Sequence, residues 1–182
     1  NEAIKWFKQG IKLNPNDSIF YIGIGRVYES LGLYNEAIKW NKKGIKLNPN
    51  SSYCYAGIGR VCKSLNQCDE AIKWFKQSIK VNPNDSSCYA NIGRIYKEQG
   101  QYDEAIKWFK RAIKINPNNS NFYAELGWIF TDQNQCDEAI KWYKQGIKTN
   151  PYDSDCYAHL GQVYAYKKND IDRALVYIKK AI

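Results

Sequence analysis

Methionine is absent from the 182-residue sequence, histidine occurs once and proline only five times. No apolar run approaches the roughly 20 residues that a membrane-spanning helix needs, which excludes a span of that kind. With His159 as the lone histidine there is no Ser/His/Asp set, and no carboxylate pair stands out, so turnover has no support and the chain is not expected to be an enzyme. C-x-x-C pairs are missing among Cys54, Cys62, Cys68, Cys88, Cys136 and Cys156. Cys156 and His159 are spaced C-x-x-H, but one such pair falls short of the four ligands of a structural zinc, so neither metal nor other cofactor is expected. A chain this long buries a core without disulfide staples, which points to reduced thiols and a cytoplasmic setting. No targeting segment is visible, and a chain that opens at Asn1 inside a helical pattern reads as a piece of a longer protein.

What is present is 44% hydrophobic residues, 15% aromatics, 25% charged residues and a formal charge of +9. Aromatics in that quantity demand burial and exclude a disordered chain. The five prolines, Pro15, Pro49, Pro83, Pro117 and Pro151, are each 34 residues apart. An aromatic recurs at Tyr21, Tyr55, Tyr89, Tyr123 and Tyr157, and a glycine at Gly25, Gly59, Gly93, Gly127 and Gly161. Ile24, Ile58, Ile92, Leu126 or Leu160 precedes each glycine, and alanines follow at Ala37, Ala71, Ala105, Ala139 and Ala174. Tyr21, Ile24 and Tyr28 make one apolar helical stripe. Gly32, Asn66, Gly100 and Asn134 stand between the two helices of each repeat, as residues that readily take positive φ and end a helix. The N-P-N-D-S segment stops the second helix and supplies the next N-cap. A helix-interior glycine costs about 1 kcal/mol relative to alanine, so a column of them implies a neighbour too close to admit a Cβ, with the alanines as the matching small surface.

A 34-residue period with these offsets closely resembles the tetratricopeptide repeat along the whole chain. The resemblance implies an all-α fold, a right-handed helical-repeat solenoid of antiparallel helix-turn-helix hairpins. One array spans 1–182: a half repeat at 1–17, repeats at 18–51, 52–85, 86–119 and 120–153, and a truncated repeat at 154–182. Both ends lack caps, so self-association through them is possible. Two irregularities stand out: Asn41 replaces an aromatic and is expected to weaken the core locally, and one residue is inserted around 167–170, which shifts Ala174.

In the family, first helices line a concave groove that takes extended peptides, and the ninth residue of each repeat points into it. That column here is Arg26, Arg60, Arg94, Trp128 and Gln162, with Lys63 and Lys97 one turn on. Arginine's planar fork grips carboxylates bidentately, so a ladder of arginines suits an extended acidic segment, or a partner helix, of a protein ligand. Trp128 and Tyr53 serve as apolar anchors. Glu125, Asp132 and Asp155 turn the far end acidic, and Glu29 and Glu98 are available to pair with the basic groups. The family's clamp for chaperone C-termini is a poor match, because Ile22, Ala56, Ala90, Ala124 and Ala158 stand where its lysine belongs.

Second helices carry lysine trios, such as Lys39, Lys42 and Lys46 or Lys107, Lys110 and Lys114. Each lies on one helix face and builds a basic convex field that attracts polyanions. RNA or other nucleic acid on that face is therefore the alternative partner. Trp40, Trp74, Trp108 and Trp142 lie beside the trios but are expected to pack between repeats. A third reading is a substrate-recruiting module of a larger enzyme. The cysteines recur at repeat-equivalent places and read as packing residues.

Overall fold

The computed structural model describes residues 2–167 and 169–181. Among them are eleven α-helices and no strand: α1 (Glu2–Leu13), α2 (Ser18–Ser30), α3 (Tyr34–Leu47), α4 (Ser52–Ser64), α5 (Cys68–Val81), α6 (Ser86–Glu98), α7 (Tyr102–Ile115), α8 (Ser120–Asp132), α9 (Cys136–Thr149), α10 (Ser154–Gln162) and α11 (Ile171–Ala181). A π-helical turn, Val163–Lys167, continues α10. The chain forms two compact units, residues 1–95 and 96–182, whose division falls inside α6. In unit 1, α2 pairs with α3 and α4 with α5, α1 packs on α2 and α3 on α4, and the first helices α2 and α4 touch. Unit 2 repeats the scheme, with α8 on α9, α10 on α11, α7 on α8, α9 on α10, and first helices α8 and α10 in contact.

The turns follow from their residues. Gly32, Asn66, Gly100 and Asn134 take φ of 71°, 58°, 72° and 61°. The next amide reaches back over five residues to close the helix, as in Leu33 N–H to Tyr28 O (2.9 Å) and Gln135 N–H to Phe130 O (2.8 Å). At the other end, Asp17, Asn119 and Asp153 accept backbone N–H bonds from Ile19, Asn121 and Cys156 as N-caps. The extra residue of the last repeat is absorbed before its turn. Asn169 takes φ 51°, and Asp170 N–H reaches Tyr164 O over six residues (2.8 Å), so a wider turn at Val163–Lys167 holds the insertion and Ala174 keeps its buried place. Lys168, within the expected insertion, lies outside the described residues.

The core corrects one expectation about the glycines. A Cβ on Gly59 would meet the Phe75 ring at 2.9 Å, and one on Gly127 the Tyr143 ring at 2.5 Å. The close neighbour is the aromatic of the second helix, not the alanine column. Phe75, Phe109 and Tyr143 are fully buried, as are Ala37, Ala71, Ala105 and Ala139. Asn41 occupies the same register and is also buried, between Gly25 and Gly57, with its amide donating to Ala37 O (2.9 Å). Within their own hairpins Trp40, Trp74 and Trp142 pack on Tyr21, Tyr55 and Tyr123, at 5.9–6.2 Å between rings, and Lys110 of the preceding repeat stands 6.0 Å from the Trp142 ring centre.

Those tyrosines have a second task that an apolar stripe does not reveal. Tyr21, Tyr55, Tyr89 and Tyr123 each donate the hydroxyl to the carbonyl of the proline six residues earlier, at 2.9–3.1 Å. The bond ties the entry loop to the first helix and explains why the column is tyrosine and not phenylalanine. Tyr123→Phe, which keeps the ring and removes only this bond, is expected to cost about 1 kcal/mol in urea unfolding; an unchanged midpoint would remove the tie from the account.

Candidate functional site

In unit 1 the side chains singled out on the first helices lie on α2, α4 and α6. Arg26 and Tyr53 are exposed, while Arg60, Lys63 and Arg94 are half-buried. Arg60 on α4 meets Glu29 on α2 in a bidentate pair, with Nε donating to Oε1 and Nη2 to Oε2, both at 3.0 Å. The pair shows the carboxylate-gripping fork in use, between neighbouring hairpins of this same chain. Lys63 and Arg94 also have partners.

Unit 2 holds Lys97 and Trp128 together. Lys97 Nζ donates to Glu125 Oε2 at 2.5 Å and stands 4.6 Å from the Trp128 ring centre. Both members of that ion pair are largely covered. Tyr102 meets the indole edge-on at 6.4 Å, and its hydroxyl donates to Asp132 (2.5 Å). That bond favours the protonated phenol and raises its pKa.

Beyond Trp128, α8, α9, α10 and the π-helical turn line a partly open cavity of about 210 Å³ that the sequence did not disclose. Tyr143 and Val163 are its most buried lining, and Trp128, His159 and Tyr166 present rings to it. The His159 ring stacks on Tyr143 at 5.8 Å. The signals were present one at a time: a tryptophan and a glutamine in an arginine column, the single histidine, and the inserted residue. Their convergence depends on how α8, α9 and α10 pack.

On α3, α5, α7 and α9, one lysine of the trio is paired with a glutamate three residues earlier: Lys39 with Glu36 (3.3 Å), Lys73 with Glu70 (3.2 Å), Lys107 with Glu104 (2.6 Å) and Lys141 with Glu138. The basic field is therefore partly neutralised. No group of three potential metal ligands occurs among the described residues, and no described helix is long and apolar enough to cross a membrane.

The cysteines are free thiols, of which Cys54, Cys62, Cys88 and Cys156 are buried. Burial pushes Cys88 and Cys156 up to about 12 and raises Cys54 and Cys62 as well. A thiol that stays protonated at neutral pH is a poor nucleophile. Iodoacetamide at pH 8 is expected to modify only Cys68 and Cys136 in the folded chain and all six cysteines once it is denatured. Intact-mass analysis reads the difference, and rapid labelling of Cys88 in the native state would contradict it.

Comparison with known proteins places this geometry. The tetratricopeptide repeat profiles match residues 19–51, 86–119 and 108–141, and a further TPR repeat profile matches 59–100 and 127–168. No curated protein matches the chain by sequence. Among solved structures, the MamA protein is 26% identical with a TM-score of 0.73, covering 90% of this chain and 89% of its own. YrrB, described as a TPR protein with an unusual peptide-binding site, is 23% identical with a TM-score of 0.70, covering 99% and 92%. PilF of Pseudomonas aeruginosa is 18% identical with a TM-score of 0.80, covering 90% and 74%. Hairpins of this period, register and packing, matched by those profiles over most of the chain, make it a member of the tetratricopeptide repeat family.

Proposed function

We propose that the chain is a non-catalytic interaction scaffold whose first helices receive an extended acidic segment of a partner protein. The observation that carries this reading is the arginine column of unit 1. Arg26, Arg60 and Arg94 hold one register on consecutive first helices, and Glu29 already engages Arg60 in the two-bond geometry a partner's carboxylate would use. Lys63 adds positive charge one turn along α4, and Tyr53 offers an exposed ring on the same helix. Unit 2 has first-helix binding groups of its own, the Lys97 cation and the Trp128 apolar surface. YrrB, a protein of this fold with a peptide-binding site, agrees with the scaffold reading. The reading includes a reducing, cytoplasmic setting, which the free thiols support.

The outer face comes second as a polyanion site, because the trios of α3, α5, α7 and α9 each have a lysine already held by its own helix. As a recruiting module of an enzyme, the chain would still act by binding. The test uses a fluorescein-labelled hexaglutamate peptide and a labelled RNA oligomer, read by anisotropy. The peptide should bind and be released by Arg26/Arg60/Arg94→Ala, with helical circular dichroism unchanged. Retention by that variant would overturn the reading. RNA binding that is lost on Lys42/Lys46/Lys80→Glu would put the outer face in its place.

A further inference from the structure

We infer that the cavity of unit 2 is a receptor for one uncharged aromatic side chain flanked by acidic residues, an inference that rests on the reading above and sharpens it. The first argument is where the repeats stop resembling one another. Trp128 and Gln162 occupy the register that Arg26, Arg60 and Arg94 hold elsewhere. Tyr143 carries a hydroxyl where Phe75 and Phe109 have none, and His159 is the single histidine. Tyr166 and Lys167 belong to the π-helical turn that absorbs the inserted residue. All of these line one cavity. Repeats that only had to stack would have no need for their departures to meet in one place.

The second argument is the chemistry of the lining. The volume of about 210 Å³ suits one large side chain rather than a backbone segment. Trp128, Tyr143, His159 and Tyr166 bring rings to its lining, and ring edges and faces prefer another ring in offset or edge-on contact. Tyr143 bonds weakly with Thr131, whose hydroxyl donates to Gly127 O (2.8 Å), and His159 Nδ1 lies 3.2 Å from Gln162 Oε1. Burial raises Tyr143 to about 12, so the deep end of the cavity stays neutral.

The third argument is charge, which selects among occupants. An aromatic enclosure ordinarily favours a cation. Here Lys97 already stands over the Trp128 ring, and Lys167 lies at the exposed rim with Nζ donating to the neutral Asn134 Oδ1 at 3.3 Å. A ligand ammonium in the cavity would face Lys167, and the Trp128 ring already has a cation in Lys97. A neutral ring avoids that repulsion, and a carboxylate on the residue beside it faces Lys167. Aromatic side chain inside, acidic flank outside, is the complementary pattern.

Three peptides test the inference: acetyl-Glu-Glu-Xaa-Glu-Glu-amide with Phe, Ala or Lys at Xaa, titrated into the isotope-labelled chain. The Phe peptide is expected to shift the Trp128 indole and Gln162 amide signals and to bind about tenfold more tightly than the Ala peptide, with the Lys peptide weakest. Trp128→Arg should abolish the preference for Phe while the Ala peptide, still acidic, binds at least as tightly as before. That variant restores the residue three other repeats carry in this register, so it keeps the fold. Tyr166→Ala, at an 85% exposed position, should reduce the preference severalfold. Equal binding of Phe and Ala peptides, or tightest binding of Lys, would overturn the receptor. Shifts of the unit 1 arginine side-chain signals report separately on the acidic-segment reading. If they move without any preference for Phe, the cavity inference fails and the scaffold reading stands; if only the cavity signals move, and only with Phe, the reverse holds.

Discussion

Phe75→Ala is expected to cost the chain about 3–5 kcal/mol of stability, the range for removing a buried ring from a core that cannot collapse around the space. Phe75 is 0% exposed, with its ring against Gly59. Gly59→Ala supplies the diagnostic partner. In the native background the new Cβ lies 2.9 Å from the ring and should destabilise by about 1–3 kcal/mol, although alanine is intrinsically the better helix former. With the ring gone the clash is gone, and the same Gly59→Ala should stabilise by about 1 kcal/mol through propensity alone. A double-mutant cycle in urea measures this change of sign. If the two substitutions simply add, the glycine column is not kept for the ring, and the packing account of the repeat is wrong.

That cycle also marks how far the sequence could be read. The 34-residue spacing of the prolines, with Gly32, Asn66, Gly100 and Asn134 between helices, was enough to locate those four turns, because turn chemistry is local. The glycine column showed that something lies close without showing what. A missing Cβ records a distance, and identifying the neighbour needs the rotation of one helix against the next. Glu29 was legible as a partner for the basic column, but which cation it takes was not, for the same reason. Arg60 and Glu29 are 31 residues apart, and Lys97 and Glu125 are 28 apart, so neither pair follows from a fixed step along the repeat. Within one helix the reverse is true: the Lys–Glu pairs at i,i+3 on the second helices were open to inspection all along. The inserted residue was legible as an irregularity, but its place in a π-helical turn is decided by keeping Ala174 buried and Asn169 at positive φ.

Glu29, the acidic residue held by Arg60, turns the proposed function into a prediction with opposite signs. Arg26/Arg60/Arg94→Ala is expected to weaken hexaglutamate binding by about 100-fold, since a charge-assisted bond contributes roughly 1.5–3 kcal/mol when covered and less when exposed, as at Arg26. Glu29→Gln should act the other way. It keeps the shape beside Arg60 but removes the carboxylate that now occupies the guanidinium at 3.0 Å, so an incoming carboxylate no longer has to displace a rival. Affinity should rise about three- to tenfold, at the expense of about 1 kcal/mol of folding stability from the lost pair. Raising the salt from 0.1 to 0.5 M should shrink both effects together by screening the exposed charges. Anisotropy titrations at the two salt concentrations decide the matter. Weaker binding by Glu29→Gln would mean that Glu29 holds Arg60 in the receiving pose, and the pair would then count as part of the receptor rather than as its competitor.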